Sequence, residues 1–248
     1  KNFNFNEPFY GLFTQGMVCH ETYKDKSGNW ISPDEIINVN GEKYLKKDQS
    51  QKIKIGPSES MSKSKKNTID PEKIISDFGA DSVRLFILSD SPPEKDVQWS
   101  DEGIISSFKF LQKLWNLNSQ ILDEIQKDHK KDHDDLFDKM TNNFVDKVTN
   151  NLTKFTYNKI IANLHEMHSE ISSILKNNYS SKTILNNYKK ILVCMMPMAP
   201  HFANECISKL GDKTLLKWPD VDKAMLLEEN IKYVIQINGK KRGLIDAS

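Results

Sequence analysis

One octapeptide concentrates side chains that could bind a polyphosphate. Residues 60–67 read Ser-Met-Ser-Lys-Ser-Lys-Lys-Asn, so three lysines and three serines share one short segment. An ammonium group brings a compact charge with three donors, and a serine hydroxyl adds a short donor that tolerates many backbone angles. The pairs Gly56-Pro57 and Asp70-Pro71 bound the segment on its two sides. The composition is compatible with a phosphate-binding loop, although a solvated or nucleic-acid-facing basic loop is the commoner meaning of such a stretch.

The helices that follow this segment are readable from their caps. Asp70 is a good N-cap, Pro71 suits the first helical position and Gly79 suits the position after the last turn, which predicts a helix over 71–78. A second helix is predicted from Asp81, and the run Ser91-Pro92-Pro93 ends it. These two helices must connect the basic segment to whatever comes next.

A helical bundle is predicted downstream. Ser100 caps a long helix, and further helical segments cover about 136–152, 155–177 and 181–210, the last one interrupted at Pro197 and Pro200. The fold class is therefore mainly α, with an antiparallel helix bundle as the main unit. Trp99 and Trp115 are expected to be core anchors, since aromatic residues at helical spacing are usually buried. The apolar stripe assigned to the long helix is Ile104, Phe108, Leu111, Trp115, Leu122 and Ile125.

Two β-rich segments flank the helical part. Residues 19–56 alternate short apolar runs with turn signals, which predicts a small hairpin module inserted before the basic segment. After Trp218-Pro219 the pattern becomes strand-like again, and Asn238-Gly239 is a strong hairpin turn signal. The first residue is Lys1 and strand-like sequence reaches the end, so we expect the chain to be a piece of a longer protein.

Bulk composition narrows the class of protein. Among 248 residues, 35 Lys and Arg balance 34 Asp and Glu, so nucleic-acid binding would depend on local basic patches. The three cysteines, Cys19, Cys194 and Cys206, form no CxxC pair, which argues against a zinc knuckle or a disulfide framework and favours a reducing compartment. No signal peptide and no membrane-spanning apolar run is present. A cytoplasmic location, without a membrane partner, is expected.

The segment and its flanks together resemble a known family. Ser60–Ser64 looks like the KMSKS signature of class I aminoacyl-tRNA synthetases, and the following stretches 67–71 and 78–84 match the pattern after that loop. Within the class, the chain resembles bacterial or organellar leucyl-tRNA synthetases. The residues that carry this closer likeness are Phe13–Val18, Lys65-Lys66-Asn67, Ser91-Pro92-Pro93, Met196–His201 and Val234–Lys240.

The resemblance implies a domain plan. Residues 1–68 would end the nucleotide-binding domain, including the β-rich insertion 19–56 and the signature loop 60–64. Residues 69–100 would be connecting helices, 101–225 a tRNA-binding helix bundle, and 226–248 the start of a C-terminal domain with a β-hairpin.

The resemblance also implies a reaction: ATP-dependent activation of leucine and its transfer to tRNA(Leu). ATP with Mg²⁺, leucine, tRNA(Leu) and the N-terminal part of the same polypeptide would be the partners. The ATP contacts would come from the signature loop, with Lys63 as the catalytic residue that meets charge on the leaving phosphates. The residues assigned to ATP are Ser60, Met61, Ser62, Lys63 and Ser64. The residues assigned to tRNA are Lys65, Lys66, Arg84, Lys240, Lys241 and Arg242.

Two departures from the family pattern and several alternatives stay open. Ser60 replaces the first signature lysine, and the chain has no HIGH motif, so we expect it to be inactive alone. Lys65 and Lys66 suit solvent or tRNA better than phosphate, Arg84 suits either a contact within the fold or tRNA, and the basic hairpin suits either a phosphate backbone or solvent. The alternative functions are a non-catalytic tRNA-binding module and another class I synthetase, of the valyl, isoleucyl or methionyl type.

No metal site is predicted. Cys19-His20 lacks a partner pair, and His165 with His168 on a predicted helix is more typical of a helix surface than of a ligand set.

Overall fold

The described residues form strands at both ends of the chain and helices between them. The computed structural model describes residues 7–127, 135–177, 179–211, 217–226, 231–237 and 240–247. Helices account for most of the ordered backbone, so the prediction of a mainly α fold is confirmed. Between Ile231 and Ala247, side chains are described at Ile235 and Arg242.

The strands make three small sheets. They are β1 (Val18–Lys24), β2 (Ile36–Val39), β3 (Glu42–Leu45), β4 (Asp48–Lys52), β5 (Lys54–Ser60), β6 (Val97–Gln98), β7 (Ile231–Ile237) and β8 (Lys240–Ala247). The first sheet has the order β5-β1-β6, the second β2-β3-β4, and the third pairs β7 with β8. In the first sheet, β1 runs antiparallel to β5 and parallel to β6.

The sheet order divides the segment predicted as one inserted module over 19–56. Strands β2 to β4 form a sheet of their own, in which each strand pairs with the next. Strands β1 and β5 pair with each other instead, through Cys19 with Ser60 and Glu21 with Ser58. The self-contained sheet β2-β3-β4 is therefore shorter than the predicted module. Strands β1 and β5, at the two ends of the predicted module, belong to the sheet that carries the basic segment.

Two short helices follow the basic segment, as the caps predicted. They are α1 (Pro71–Phe78) and α2 (Ala80–Ser89). The Asp70 carboxylate accepts a hydrogen bond from the backbone N–H of Glu72 at 3.0 Å. Gly79, between the helices, has a φ of 80°, which favours glycine because no Cβ is present to clash. The second helix begins one residue before the predicted Asp81.

Five further helices build the bundle. They are α3 (Asp101–Gln126), α4 (Leu136–Thr153), α5 (Tyr157–Ile174), α6 (Ser181–Met195) and α7 (Pro200–Lys209). The hydroxyl of Ser100 accepts from the N–H of Gly103 at 3.1 Å, so this cap is confirmed. The break between α6 and α7 falls at the two prolines that predicted it. Pro200 takes the first position of α7, where its missing N–H costs nothing.

The bundle core corrects the face predicted for α3. The core-facing residues of α3 are Ile104, Phe110, Leu114, Leu117, Asn118 and Ile121. The predicted stripe through Leu111 and Trp115 lies one position away from this face. Trp115 is 36% exposed, with the Lys209 ammonium 4.4 Å from its ring centroid, so the prediction that it is a core anchor was wrong. Apolar residues span a wide arc of α3, and periodicity alone could not choose the side that meets α5 and α6. Trp99 does pack into a small cluster beside Phe86.

The C-terminal hairpin forms as predicted. Strands β7 and β8 are antiparallel, with Val234 opposite Leu244 and Ile237 opposite Lys240. The predicted turn residues Asn238 and Gly239 lie outside the described residues.

Candidate functional site

The basic segment emerges from the edge of the first sheet. We call residues Ser60–Asn67 the signature loop. Ser60 is the last residue of β5 and pairs with Cys19 of β1. The N–H of Met61 then donates to the carbonyl of Val18 at 3.3 Å. The entry to the loop is thus held by main-chain bonds to a strand that is buried between two others.

Asn67 closes the loop at its other end. Its side chain is fully buried, and its Oδ1 accepts from the N–H of Ser62 at 2.8 Å. Its Nδ2 donates to the carbonyls of His20 and Glu59, each at 3.2 Å. One amide therefore joins β1, β5 and the middle of the loop. The sequence pattern includes Asn67 but predicts no role for its side chain. The sequence feature that could have predicted this role is a side-chain amide, which both donates and accepts hydrogen bonds, at the end of a lysine-rich loop.

Two turns shape the tip of the loop. The N–H of Lys65 donates to the carbonyl of Ser62 at 3.2 Å, and the N–H of Lys66 donates to the carbonyl of Lys63 at 3.3 Å. The hydroxyls of Ser62 and Ser64 lie 2.7 Å apart. Lys66 has a φ of 54°, in the left-handed region where a lysine is uncommon. The tip is therefore a tight, hydrogen-bonded structure rather than an extended strap.

The loop side chains differ in exposure. Ser60, Lys63, Ser64 and Lys66 are exposed, whereas Met61 and Ser62 are half-buried. Lys65 is also half-buried, and its ammonium makes an ion pair with the carboxylate of Glu59. The structure thus brings the five residues predicted to bind ATP into one loop and leaves the Lys63 ammonium facing solvent. An exposed ammonium on a fixed backbone can meet negative charge that develops on a phosphate ester during displacement.

Arg84 connects α2 to the break between α6 and α7. Its Nε donates to the carbonyl of Met198 at 3.2 Å, and its Nη2 donates to the carbonyl of Pro197 at 2.5 Å. Of the two roles considered for Arg84, these are the contacts of a residue that pairs within the fold. A tRNA contact by Arg84 stays a prediction.

Asp81, one turn earlier on α2, acts on the same break. Its carboxylate accepts from the N–H of Phe202 at 2.7 Å and lies 2.9 Å from Nδ1 of His201. Ala199, at the N-cap position of α7, has no side-chain acceptor, so Asp81 supplies the cap from another helix. We call Asp81 and Arg84 the junction pair. Sequence reasoning missed the role of Asp81, because the two segments are 121 residues apart in the chain.

The remaining predicted tRNA contacts lie in the hairpin. Arg242 is exposed on β8. Lys240 and Lys241 also belong to β8, but their side chains fall outside what the structure describes. Their contribution to a basic patch stays a prediction.

The histidine candidates have ordinary packing roles. His20 is buried, and its Nδ1 lies 2.9 Å from the carbonyl of Glu21. The ring of His165 stacks on Phe110 at 3.6 Å between centroids. Burial lowers the pKa of His165, and the charges of His168 and Lys113 lower it further. Within the part of the chain that the structure describes, no three His, Cys, Asp or Glu side chains are grouped closely enough to hold a metal ion.

Comparisons with known proteins agree with this arrangement. Residues 53–100, which include the signature loop and the junction pair, match the family described as tRNA synthetases class I (I, L, M and V). Residues 134–248 match the family described as the anticodon-binding domain of tRNA ligase. The two matches cover strands β5 and β6 of the sheet that carries the loop, helices α1 and α2, and the bundle helices α4 to α7.

Curated relatives are more specific. The leucine–tRNA ligase of Bartonella bacilliformis is 42% identical over 257 residues, covering 97% of this chain. The chain is a homologue of leucine–tRNA ligases. The leucine–tRNA ligase of Parvibaculum lavamentivorans is 38% identical over 250 residues, covering 96% of the chain. The chain spans about 29% of the length of each of these two relatives.

A solved structure supports the fold. A crystal structure described as the ternary complex of Agrobacterium radiobacter K84 agnB2 LeuRS-tRNA-LeuAMS matches with a TM-score of 0.67 at 23% identity. The match covers 98% of this chain and 28% of that one. At this identity the match establishes that the two proteins share a fold. Among the described residues, no helix combines the length and apolarity that crossing a membrane requires.

Proposed function

We propose that this chain works as part of a leucine–tRNA ligase, supplying the loop that stabilises the ATP phosphates and a bundle that binds tRNA(Leu). The observation that carries the proposal is the identity of about 40% to leucine–tRNA ligases over nearly the whole chain. The signature loop lies within that matched region, and the Lys63 side chain is exposed on a backbone that Asn67 fixes. The N-terminal part of the same polypeptide, which would hold the other half of the nucleotide-binding domain, would supply the HIGH motif. We propose a cytoplasmic location for this enzyme.

The proposed reaction has two steps. A carboxylate oxygen of leucine attacks the α-phosphorus of ATP, the bond to the bridging oxygen breaks, and pyrophosphate leaves with the electron pair. A hydroxyl at the tRNA 3′ end then attacks the activated carbonyl, and AMP leaves. In the first step, negative charge increases on the leaving phosphates.

Lys63 is proposed to act at that moment. Its ammonium is exposed, while the backbone that carries it is fixed by the turn to Lys66 and by Asn67. A cation that contacts the phosphates more strongly in the transition state than in the ground state raises the rate. Loss of one such electrostatic contact typically costs about 3–4 kcal/mol of transition-state stabilisation.

Mg²⁺ would enter with ATP as part of the substrate, where it neutralises phosphate charge. Among the described residues, no three His, Cys, Asp or Glu side chains are grouped closely enough to hold an ion on their own. We therefore assign no step of this chain's chemistry to a resident metal.

The first experiment tests which amino acid the complete protein activates. Exchange of labelled pyrophosphate into ATP would be measured with leucine, valine, isoleucine and methionine in turn. The proposal predicts exchange that depends on leucine, followed by charging of leucine tRNA. Exchange with another of the four amino acids would instead identify a different class I synthetase.

A second experiment separates catalysis from binding. The 248-residue chain alone lacks the HIGH motif, so we expect it to catalyse no exchange. Leucine-dependent exchange by the chain alone would contradict that expectation.

A non-catalytic tRNA-binding module is the second candidate, favoured by the match of residues 134–248 to an anticodon-binding family. A gel shift of leucine tRNA by the chain, weakening as salt is raised, would support binding without catalysis. If the complete protein also fails to activate any amino acid, the module becomes the better description.

A further inference from the structure

The three lysines of the signature loop are not equivalent in the structure. The Lys65 ammonium is paired with the carboxylate of Glu59. Within the described residues, the ammonium groups of Lys63 and Lys66 have neither a hydrogen-bond nor an ion-pair partner, and both side chains are exposed. Two cations are therefore available to an incoming anion, and the third is already neutralised by a neighbour.

The two available lysines project from one turn. The N–H of Lys66 donates to the carbonyl of Lys63, which makes these residues the ends of a four-residue turn. The Cα atoms at the ends of such a turn lie within about 7 Å of each other. Extended ammonium groups on neighbouring stems can reach the same triphosphate, which is several ångströms long and carries charge on every phosphate.

The backbone at Lys66 is unfavourable for a lysine. Its φ of 54° lies in the left-handed region, which asparagine and glycine adopt more readily. Neighbouring bonds impose this conformation, since Asn67 is fixed by three hydrogen bonds and the turn to Lys63 closes on the other side. A lysine does not favour this backbone conformation, so the contribution of Lys66 is its positive charge.

The positive charge of Lys66 matters because position 60 lacks a cation. Ser60 offers an uncharged hydroxyl where the resemblance leads one to expect the first signature lysine. Successive side chains of a strand point to opposite faces, so Glu59 and its partner Lys65 lie on the face away from Ser60. Lys65 is therefore badly placed to replace a cation at position 60, whereas Lys66 has no such restraint.

We propose that Lys66 is a second triphosphate-binding residue, which supplies beside Lys63 the positive charge that is absent at Ser60. Lys65 instead positions the loop through Glu59. This inference rests on the proposed function, because it requires ATP at the signature loop. It separates two adjacent lysines that the sequence alone leaves together as solvated or tRNA-facing groups.

The test uses the complete protein and the substitution Lys66→Asn. Asparagine removes the charge and suits the left-handed backbone, so it does not strain the turn. We expect kcat/KM for ATP in leucine-dependent pyrophosphate exchange to fall about ten- to a hundredfold, the scale of one charge-assisted phosphate contact. The matched control Lys54→Asn, which removes an exposed charge at the far end of β5 from the loop, should change it by less than about threefold.

Restoring the charge at position 60 is the decisive arm. The double substitution Ser60→Lys with Lys66→Asn should recover most of the lost kcat/KM for ATP. If Ser60→Lys recovers nothing, the claim that these two positions serve the same phosphates is overturned.

The remaining outcomes distinguish this inference from the proposed function. If Lys63→Ala abolishes exchange while Lys66→Asn leaves it unchanged, the role of Lys66 is overturned and the proposed function stands. If Lys66→Asn lowers only the charging of tRNA, Lys66 faces tRNA and the inference is equally overturned. If the unmodified protein shows no leucine-dependent exchange, both the proposed function and this inference fail.

Discussion

The signature loop and the helix bundle are stabilised in different ways. In the loop, the one fully buried side chain is Asn67, and a few hydrogen bonds fix the backbone while the Lys63 and Lys66 side chains are exposed. In the bundle, residues such as Ile160, Leu164 and Ile191 are completely buried. Because hydrophobic burial scales with area removed from water, the bundle carries most of the stability and the loop carries little of it. Charges in the loop can therefore change without unfolding the protein.

The junction pair lies between these two regions and belongs to neither type. Asp81 is buried like a core residue but makes polar bonds to α7, and Arg84 is exposed while bound to two carbonyls. Through them, and through Leu85 in the bundle core, α2 is attached to the bundle. Four sets of substitutions test this difference in stabilisation, in order of decreasing effect on the free energy of unfolding.

The largest effect is expected in the bundle. Leu164→Ala should lower the free energy of unfolding by about 2–5 kcal/mol, because it removes a fully buried side chain and leaves a cavity. Urea denaturation of the chain measures it, with the exposed Lys159→Ala on the same helix as a control expected to stay near the parent value. A loss under about 1 kcal/mol would show that the bundle core is loosely packed.

The next effect is expected at the junction. Asp81→Ala should cost about 1–3 kcal/mol in the free energy of unfolding, since the N–H of Phe202 loses its buried acceptor. Asp77→Ala, on the exposed side of α1, is the matched control and should be close to neutral. In a double-mutant cycle, His201→Ala should matter less once Asp81 is absent. Full additivity of the two changes would mean that the observed contact contributes nothing.

Within the loop, Asn67→Ala should lower global stability by only about 1 kcal/mol but should open the loop locally. The amide of Ser62 loses its acceptor, so its hydrogen exchange should become faster. Thr68→Ala changes the exposed neighbouring residue and should leave that amide protected. Unchanged protection of Ser62 in Asn67→Ala would contradict the role given to this amide.

The smallest effect is expected for the ion pair in the loop. The Lys65 and Glu59 side chains are 38% and 34% exposed, and half-exposed pairs of this kind contribute about 0–1 kcal/mol. A cycle of Lys65→Ala with Glu59→Gln should give a coupling below about 1 kcal/mol that weakens in high salt. A larger coupling that does not depend on salt would mean that this ion pair stabilises the fold as the buried contacts of the junction pair do.

The sequence predicted features that depend on neighbouring residues and missed those that depend on contacts between distant parts of the chain. The helix at 71–78, its Asp70 cap, the Ser100 cap and the break at Pro200 are local features, and each was predicted. The roles of Asn67 and Asp81 were not, because their partners at His20 and Phe202 are distant in sequence. The face of α3 was misassigned for a related reason. Periodicity shows that a helix is amphipathic, but neighbouring helices decide which of two overlapping arcs becomes the core.

The most direct test of the account is the rate of leucine-dependent pyrophosphate exchange in the complete protein carrying Lys63→Ala. We expect this rate to fall by about 10²–10³, the effect of losing one transition-state contact, with an unchanged unfolding midpoint because Lys63 is exposed. An unchanged exchange rate in a folded, otherwise active protein would contradict the claim that the signature loop acts on the ATP phosphates.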